Sequence, residues 1–216
     1  MPTLIAGCDE AGRGCVLGPL VICIAVVEKE REPELKAIGA KDSKLLSPSA
    51  RERLYSQVKG ICVEARCIHI TAKQLNDLMR RHSLNEIEAM KIAELLSEMT
   101  HHPEKIIADS PDTVAKRFEQ RIRKYLKRDL EIQSEHKADV NYPVVSGASI
   151  IAKVERDAAI EGIKKELGYD FGSGYSSDER TIEFLKSNMH VPAVQKYVRI
   201  RWETVERLKQ RKLGEF

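Results

Sequence analysis

Apolar residues recur along this chain in two rhythms. Short runs rich in Val, Ile and Leu at Leu4–Asp9, Leu20–Val27 and Ile61–Ile70 predict strands, the last alternating loosely. Lys105–Asp109 predicts a short buried strand ending in a carboxylate, and Glu131–His136 a further strand. Between them the rhythm lengthens to helical spacing. Ser47 caps a helix with Pro48 at its first position, running towards Gly60. Thr71 opens a helix to about Arg80, and Ser83 caps another to about Thr100, whose apolar face includes Leu84, Ile87, Ile92 and Leu96. Ser110 or Asp112 caps a helix to about Lys127. From Ser146 small and apolar residues return at helical spacing to about Leu167, a glycine-rich loop follows to Ser177, and helices are expected near Asp178–Asn188 and Arg201–Leu213. Strands first, then strands alternating with helices, predict an α/β core. In such sheets ligands bind outside the strand ends, where Asp9 and Asp109 both fall.

Composition narrows the picture. A chain of 216 residues can bury one full core, and 42% hydrophobic with 32% charged residues describes a soluble globular protein. The longest apolar stretch, Val16 to Val27, is broken by Gly18 and Pro19 and falls short of the roughly 18 residues needed to span a bilayer. No secretory signal opens the chain, so a cytoplasmic location is expected. The five cysteines form no C-x-x-C pair and have no His pair at zinc-finger spacing. Reduced, mostly buried thiols are therefore expected, and a Cys8–Cys15 bridge cannot be inferred.

Net charge is only +3, but its distribution is uneven: from Lys196 to Phe216 seven basic residues face three acids. A basic tail beside an acidic site suits a metal-dependent nuclease, and a solvated helical face is the competing reading.

The chemistry concentrates in Gly7-Cys8-Asp9-Glu10-Ala11-Gly12-Arg13-Gly14. Two carboxylates stand at a strand's end, followed by a turn with one fixed positive charge and two glycines that let backbone approach a ligand. Acids that hold a divalent cation, beside backbone that meets a phosphate, suggest metal-assisted phosphoryl chemistry. Solvated acids at a strand end are the bland alternative. Asp109 and Asp139 complete a set of four acids with Asp9 and Glu10, suited to one or two Mg²⁺ or Mn²⁺ ions, with Asp9 the candidate bridge between two ions.

At this point the chain resembles a known family. The G-C-D-E-A-G-R-G run, K-D-S-K at Lys41–Lys44, the I-A-D strand end, E-H-K-A-D, Y-P-V-V-S-G-A-S-I-I-A-K-V-E-R-D and G-S-G-Y-S-S-D appear in family order across positions 7 to 178 and resemble type 2 ribonuclease H (ribonuclease HII), archaeal branch. The resemblance implies a ribonuclease H-like α/β fold: a mixed central sheet flanked by helices, with a small helical C-terminal part. It divides the chain into a catalytic domain at 1–176 and a basic helical region at 177–216 that packs on it and contacts substrate. It implies an endoribonuclease that cuts the RNA strand of RNA–DNA hybrids and nicks 5′ to ribonucleotides embedded in duplex DNA. Water attacks in line with divalent-metal assistance and leaves 3′-hydroxyl and 5′-phosphate ends, in ribonucleotide removal and RNA primer removal.

Residue by residue, Asp9, Glu10, Asp109 and Asp139 match the family's catalytic, metal-binding acids. Gly12, Arg13 and Gly14 match the element that reads the ribose 2′-hydroxyl, the group that distinguishes RNA from DNA. Tyr175 matches the tyrosine that stacks on the neighbouring deoxyribose, and Lys41, Ser43 and Lys44 are candidate phosphate contacts. Asp157 either supports the metal cluster or pairs with Arg156, His136 supports a metal-binding acid, carries a proton or is structural, and Lys153 faces phosphate or covers the surface.

Two other readings compete: a DNA nuclease or resolvase without 2′-hydroxyl selection, and a non-catalytic hybrid-binding protein. No heptad seam argues for an oligomer, so a monomer is the default. Contact with a replication clamp is compatible with the family, and the ending Lys212-Leu213-Gly214-Glu215-Phe216 does not establish it.

Overall fold

The computed structural model describes residues 2–39 and 48–213. Lys41, Ser43 and Lys44 lie outside the described residues, as does the expected Ser47 cap. Five strands, β1 (Leu4–Ala11), β2 (Leu20–Glu28), β3 (Glu64–Ile70), β4 (Lys105–Asp109) and β5 (Glu131–Glu135), form one sheet in the order β3-β2-β1-β4-β5. The helices in chain order are α1 (Glu32–Ala37), α2 (Pro48–Ile61), α3 (Ala72–Leu78), α4 (Leu84–Glu98), α5 (Ala115–Tyr125), α6 (Ala138–Asn141), α7 (Pro143–Leu167), α8 (Glu179–Asn188), α9 (Pro192–Gln195) and α10 (Glu203–Leu213). β1 pairs antiparallel with β2 and parallel with β4, and β4 pairs parallel with β5, so the sheet is mixed. Among the described residues no helix is long and apolar enough to cross a membrane.

The chain folds as two compact units. The first comprises residues 1–11, 21–68 and 83–155, the second residues 12–20, 69–82 and 156–216. In the first, β2 is buried along all but its last residue, because both faces of the sheet are covered; this is why it reads as a continuous apolar run rather than an alternating one. One face presents Ile5, Val21, Cys23, Ala25, Val27 and Ile107 to Leu35 of α1, Val58 of α2 and Val144, Val145, Ala148 and Ile151 of α7. At Gly7 the strand meets the first turn of α7 so closely that a Cβ would collide with the backbone of Val144 and Val145. Only glycine permits that approach. The second unit has its own core, built from Val16, Leu17, Ile160, Phe171, Phe184, Leu185, Val198 and Val205.

Several expectations need correcting. Cys23 and Cys67 form a disulfide, so the cysteines are not all reduced. They lie 44 positions apart in sequence, and it is the neighbouring of β2 and β3 that brings them together, which local spacing cannot reveal. Cys8, Cys15 and Cys62 remain thiols.

Neither Ser110 nor Asp112 caps α5; Val114 takes that position without a side-chain cap. The Asp112 carboxylate is instead engaged by Asn85 at 2.7 Å and Arg121 at 2.8 Å. Ile61 ends α2 rather than opening β3, with the Cys62 N–H still donating to the Val58 carbonyl. α7 starts at Pro143, whose fixed φ suits a first helical position, three residues ahead of the expected Ser146. The short helices α1, α6 and α9 carry too few turns to show a period. By contrast Thr71 caps α3 in a reciprocal box with Gln74, and Ser83 caps α4 through the Glu86 N–H, as the sequence indicates.

Candidate active site

In the first unit the sheet's register does the assembling. β1 and β4 run parallel, pairing Ile5 with Lys105 through to Cys8 with Ala108. Asp9 and Asp109 stand one step beyond: Asp109 is the last residue of β4, and Asp9 lies on the adjacent strand, which continues to Ala11 in pairing with β2. They feel each other's charge. Asp109 Oδ1 accepts a hydrogen bond of 2.7 Å from the Ala138 N–H, which fixes the start of α6. Asp139 is the next residue and is 2% exposed. Lys137, just before, adopts a left-handed backbone at φ 58° that turns the chain from β5 into α6. Three of the four sequence-expected acids are thus tied to one end of the sheet by backbone geometry.

Glu10 is placed differently. Successive strand residues leave opposite faces, so Glu10 departs from the face that carries Cys8. Burial raises the Cys8 thiol well above its ordinary pKa, and Glu10 is the foremost of the charges that add to the rise. Among the described residues no group of three or more His, Cys, Asp or Glu side chains converges closely enough to hold a metal ion as the chain stands.

Asp9 is the most perturbed carboxyl of the set. Burial lifts its pKa from 3.8 to about 7, and the Asp109 charge adds to the rise. A hydrogen bond from the Ser149 hydroxyl, one from the Glu10 N–H at 2.8 Å and the Lys153 charge oppose it. Lys153 in turn donates to Ser149 Oγ at 3.1 Å. A relay therefore runs from ammonium to hydroxyl to carboxylate along one face of α7, since positions 149 and 153 are one helical turn apart. Ser149 is fully buried, so its hydroxyl is committed to this relay. Lys153 was legible only as a charge of uncertain direction, and Ser149 not at all; the signal in the sequence is their i, i+4 spacing on the helix that packs on β1.

An all-oxygen set, in which buried Asp9 interacts with half-buried Asp109 and buried Asp139 follows the residue bonded to Asp109, suits the chemistry of Mg²⁺ or Mn²⁺. A divalent cation held there would offset the repulsion between Asp9 and Asp109.

In the second unit the Gly12–Gly14 turn is built from backbone and two arginines. Gly12 has φ +82°, and a Cβ there would lie 2.8 Å from the Pro19 carbonyl oxygen, so this position requires glycine. Gly14 is exposed and Arg13 half-buried. Tyr175 pairs with Cys15 in a short antiparallel bridge. Its hydroxyl is hydrogen-bonded to the Gly12 N–H and to Cys15, and burial raises its pKa.

The Arg156 guanidinium lies over the Tyr175 ring, 4.6 Å from its centroid, and donates to Cys15 Sγ at 3.0 Å and to the Ser173 carbonyl. Arg156 also pairs with Asp157 at 3.0 Å, the bland alternative for that acid. The expected turn and tyrosine are thus adjacent, and Arg156, which sequence reasoning treated only as a partner for Asp157, holds them.

The basic tail is less free than its composition suggests. Arg199 is wholly buried, Lys196 pairs with Glu166, and Arg207 pairs with Glu203. His136 is exposed in the turn between β5 and α6.

The family model described as Ribonuclease HII matches residues 6–205. The ribonuclease HII of Pyrococcus horikoshii is 44% identical over 211 residues, covering 96% of this chain and 93% of that protein. The Archaeoglobus fulgidus ribonuclease HII is 42% identical, covering 98% and 99%. The crystal structure of ribonuclease H2 from P. horikoshii superposes with a TM-score of 0.87 at 43% identity, covering 97% of this chain and 98% of that one. The A. fulgidus ribonuclease HII, solved in complex with PCNA, gives 0.84 at 40% identity, covering 93% and 95%. A ribonuclease HIII structure at 19% identity shares the fold, with a TM-score of 0.81.

Proposed function

The chain belongs to the ribonuclease HII family, and from that premise we propose that it is a metal-dependent endoribonuclease that cuts RNA joined to DNA. It hydrolyses the RNA strand of RNA–DNA hybrids and nicks on the 5′ side of a single ribonucleotide in duplex DNA, leaving 3′-hydroxyl and 5′-phosphate ends. Removal of embedded ribonucleotides and RNA primers is the role this activity serves. The observation that supports the reading is that Asp9 and Asp109 follow the last paired residues of two adjacent parallel strands and interact, with Asp109 bonded to the helix start that bears Asp139.

Asp9, Asp109 and Asp139, with Glu10, are the residues that would hold Mg²⁺ or Mn²⁺. The chemistry that such cations would supply there is activation of water and neutralisation of charge on the leaving group. Ser149 and Lys153 hold the Asp9 carboxylate in one orientation. Gly12, Arg13 and Gly14 read the ribose 2′-hydroxyl with backbone and a fixed donor fork. Tyr175 presents its ring to the adjoining deoxyribose, and Lys41, Ser43 and Lys44 are assigned to the phosphate backbone. The clamp bound by the A. fulgidus relative makes a replication clamp the protein partner to test for this chain.

The test is a 5′-labelled DNA duplex with one internal ribonucleotide, incubated with the protein and Mg²⁺ beside an all-DNA duplex and an EDTA control. A nick only on the 5′ side of the ribonucleotide, lost with EDTA, is expected. Equal cutting of the all-DNA duplex would overturn the reading in favour of a DNA nuclease.

A further inference from the structure

Arg199 stands in the segment that composition marks as a basic tail, yet it is the largest fully buried side chain among the described residues. Its Nε donates to the Gly18 carbonyl at 2.9 Å, and its Nη1 donates to the Arg13 carbonyl at 3.1 Å. Its own backbone N–H donates to the Val16 carbonyl at 2.9 Å. The guanidinium lies over the Trp202 ring, 4.8 Å from the centroid. One side chain thus closes the segment from Arg13 to Gly18 into a loop by gripping both ends. A guanidinium is a rigid planar fork whose N–H groups diverge to two acceptors, and an ammonium on a flexible stem does not reproduce that geometry.

The grip has a consequence for the turn. The chain contains no cis peptide among the described residues, so the Arg13 carbonyl and the Gly14 N–H point in opposite directions across their shared peptide plane. With the carbonyl held on buried Arg199, the Gly14 N–H is directed away from it, at an exposed residue with no side chain to obstruct a ligand.

We propose that Arg199 is a positioning residue for 2′-hydroxyl selection: it fixes the Arg13–Gly14 peptide so that the Gly14 N–H is presented to the ribose. This rests on the reading of the Gly12–Gly14 turn given above.

The experiment compares the full chain with Arg199→Lys and Arg199→Met. It measures kcat and KM on the single-ribonucleotide duplex, and Kd for an all-DNA duplex by fluorescence anisotropy. Loss of one charge-assisted bond to the turn lowers kcat/KM of Arg199→Lys roughly tenfold, chiefly through KM, while the all-DNA Kd stays within about twofold. Selectivity for the ribonucleotide then falls by the same tenfold. A merely structural arginine gives a different result: Tm and the active fraction fall, kcat drops, and selectivity holds. That outcome overturns the proposal.

Hydrogen exchange in the unmodified chain tests it without any variant. The Gly14 amide is expected to be protected by the ribonucleotide duplex and not by the all-DNA duplex, and equal exchange in both overturns the proposal. If the unmodified chain shows no preference for ribonucleotide over DNA, the functional reading itself fails. If it shows the preference and Arg199→Lys keeps it, only the role of Arg199 fails.

Discussion

Asp9 in the first unit and Arg199 in the second are both charged side chains withdrawn from water, at 7% and 0% exposure, and they are treated in opposite ways. Asp9 is withdrawn from water beside a second carboxylate, and a hydroxyl, a backbone N–H and the Lys153 ammonium only partly offset the cost. Arg199 rests on two carbonyl oxygens and an aromatic face. The first arrangement keeps an electrostatic cost that a cation relieves, which is typical of a reactive site. The second satisfies its charge with dipoles, which is typical of a scaffold. The contrast teaches which buried charges to read as chemistry: those whose neighbours share their sign.

The sharpest way to break the comparison is to remove each charge while keeping shape. Asp9→Asn is expected to lower cleavage of the single-ribonucleotide duplex on the order of 10³-fold, the loss of a ligand in a metal-assisted reaction. The same change is expected to strengthen the metal-free fold by at least about 1 kcal/mol, because it removes a charge withdrawn from water and, with it, the repulsion from Asp109. The sign follows from linkage. A carboxyl raised from 3.8 to about 7 weakens the folded state increasingly as pH climbs through that window. The stability gap between Asp9→Asn and the parent chain should therefore be absent below about pH 4 and full above pH 7. Mg²⁺ should raise the parent's Tm and leave that of Asp9→Asn unchanged. Parental turnover in the variant, or a lower metal-free Tm at pH 7.5, would contradict the assignment of Asp9.

Arg199→Met should move stability the other way, by about 3 kcal/mol, since it leaves the carbonyls of Gly18 and Arg13 without their charged donor. Urea unfolding followed by Trp202 fluorescence reports on the unit that contains the change. A loss under about 0.5 kcal/mol, the scale of a neutral surface substitution, would return Arg199 to the solvated tail that composition suggests.

What the sequence made legible follows the same division. Asp109 ends an apolar run and β4 with it, so its place could be read from local pattern, as could the caps Thr71 and Ser83; Asp9 ends its apolar run too, but β1 carries on through Glu10 to Ala11 because β2 pairs with all three. The relay from Lys153 through Ser149 to Asp9 was hidden because it depends on α7 lying against β1 at Gly7. Arg199 was hidden for a stronger reason: its acceptors are backbone carbonyls at Arg13 and Gly18, and any residue type supplies a carbonyl. The Cys23–Cys67 bridge likewise depends on strand order, which spacing does not encode. Side chains that act on other side chains leave a trace in sequence; side chains that act on backbone leave almost none.

The smallest effect discriminates most finely. Lys153→Met keeps the length of the side chain and removes its charge and its bond to Ser149. Two consequences oppose each other. Without the ammonium, the Asp9 carboxyl holds its proton more tightly, so a cation must compete with that proton. Without the ammonium, a cation also meets less repulsion. The first dominates below the Asp9 pKa of about 7, and the second offsets it above. Half-saturating Mg²⁺ for cleavage by Lys153→Met should therefore rise about tenfold at pH 6, the usual scale for removing a group that supports a metal ligand, and approach the parental value by pH 8.5. Turnover at saturating Mg²⁺ should change little. A lysine that merely covers the surface would leave the Mg²⁺ dependence untouched at both pH values. A phosphate-contacting lysine would raise KM for the duplex at every pH. A pH-dependent shift in Mg²⁺ demand alone places Lys153 behind Asp9, inside the strained half of the comparison.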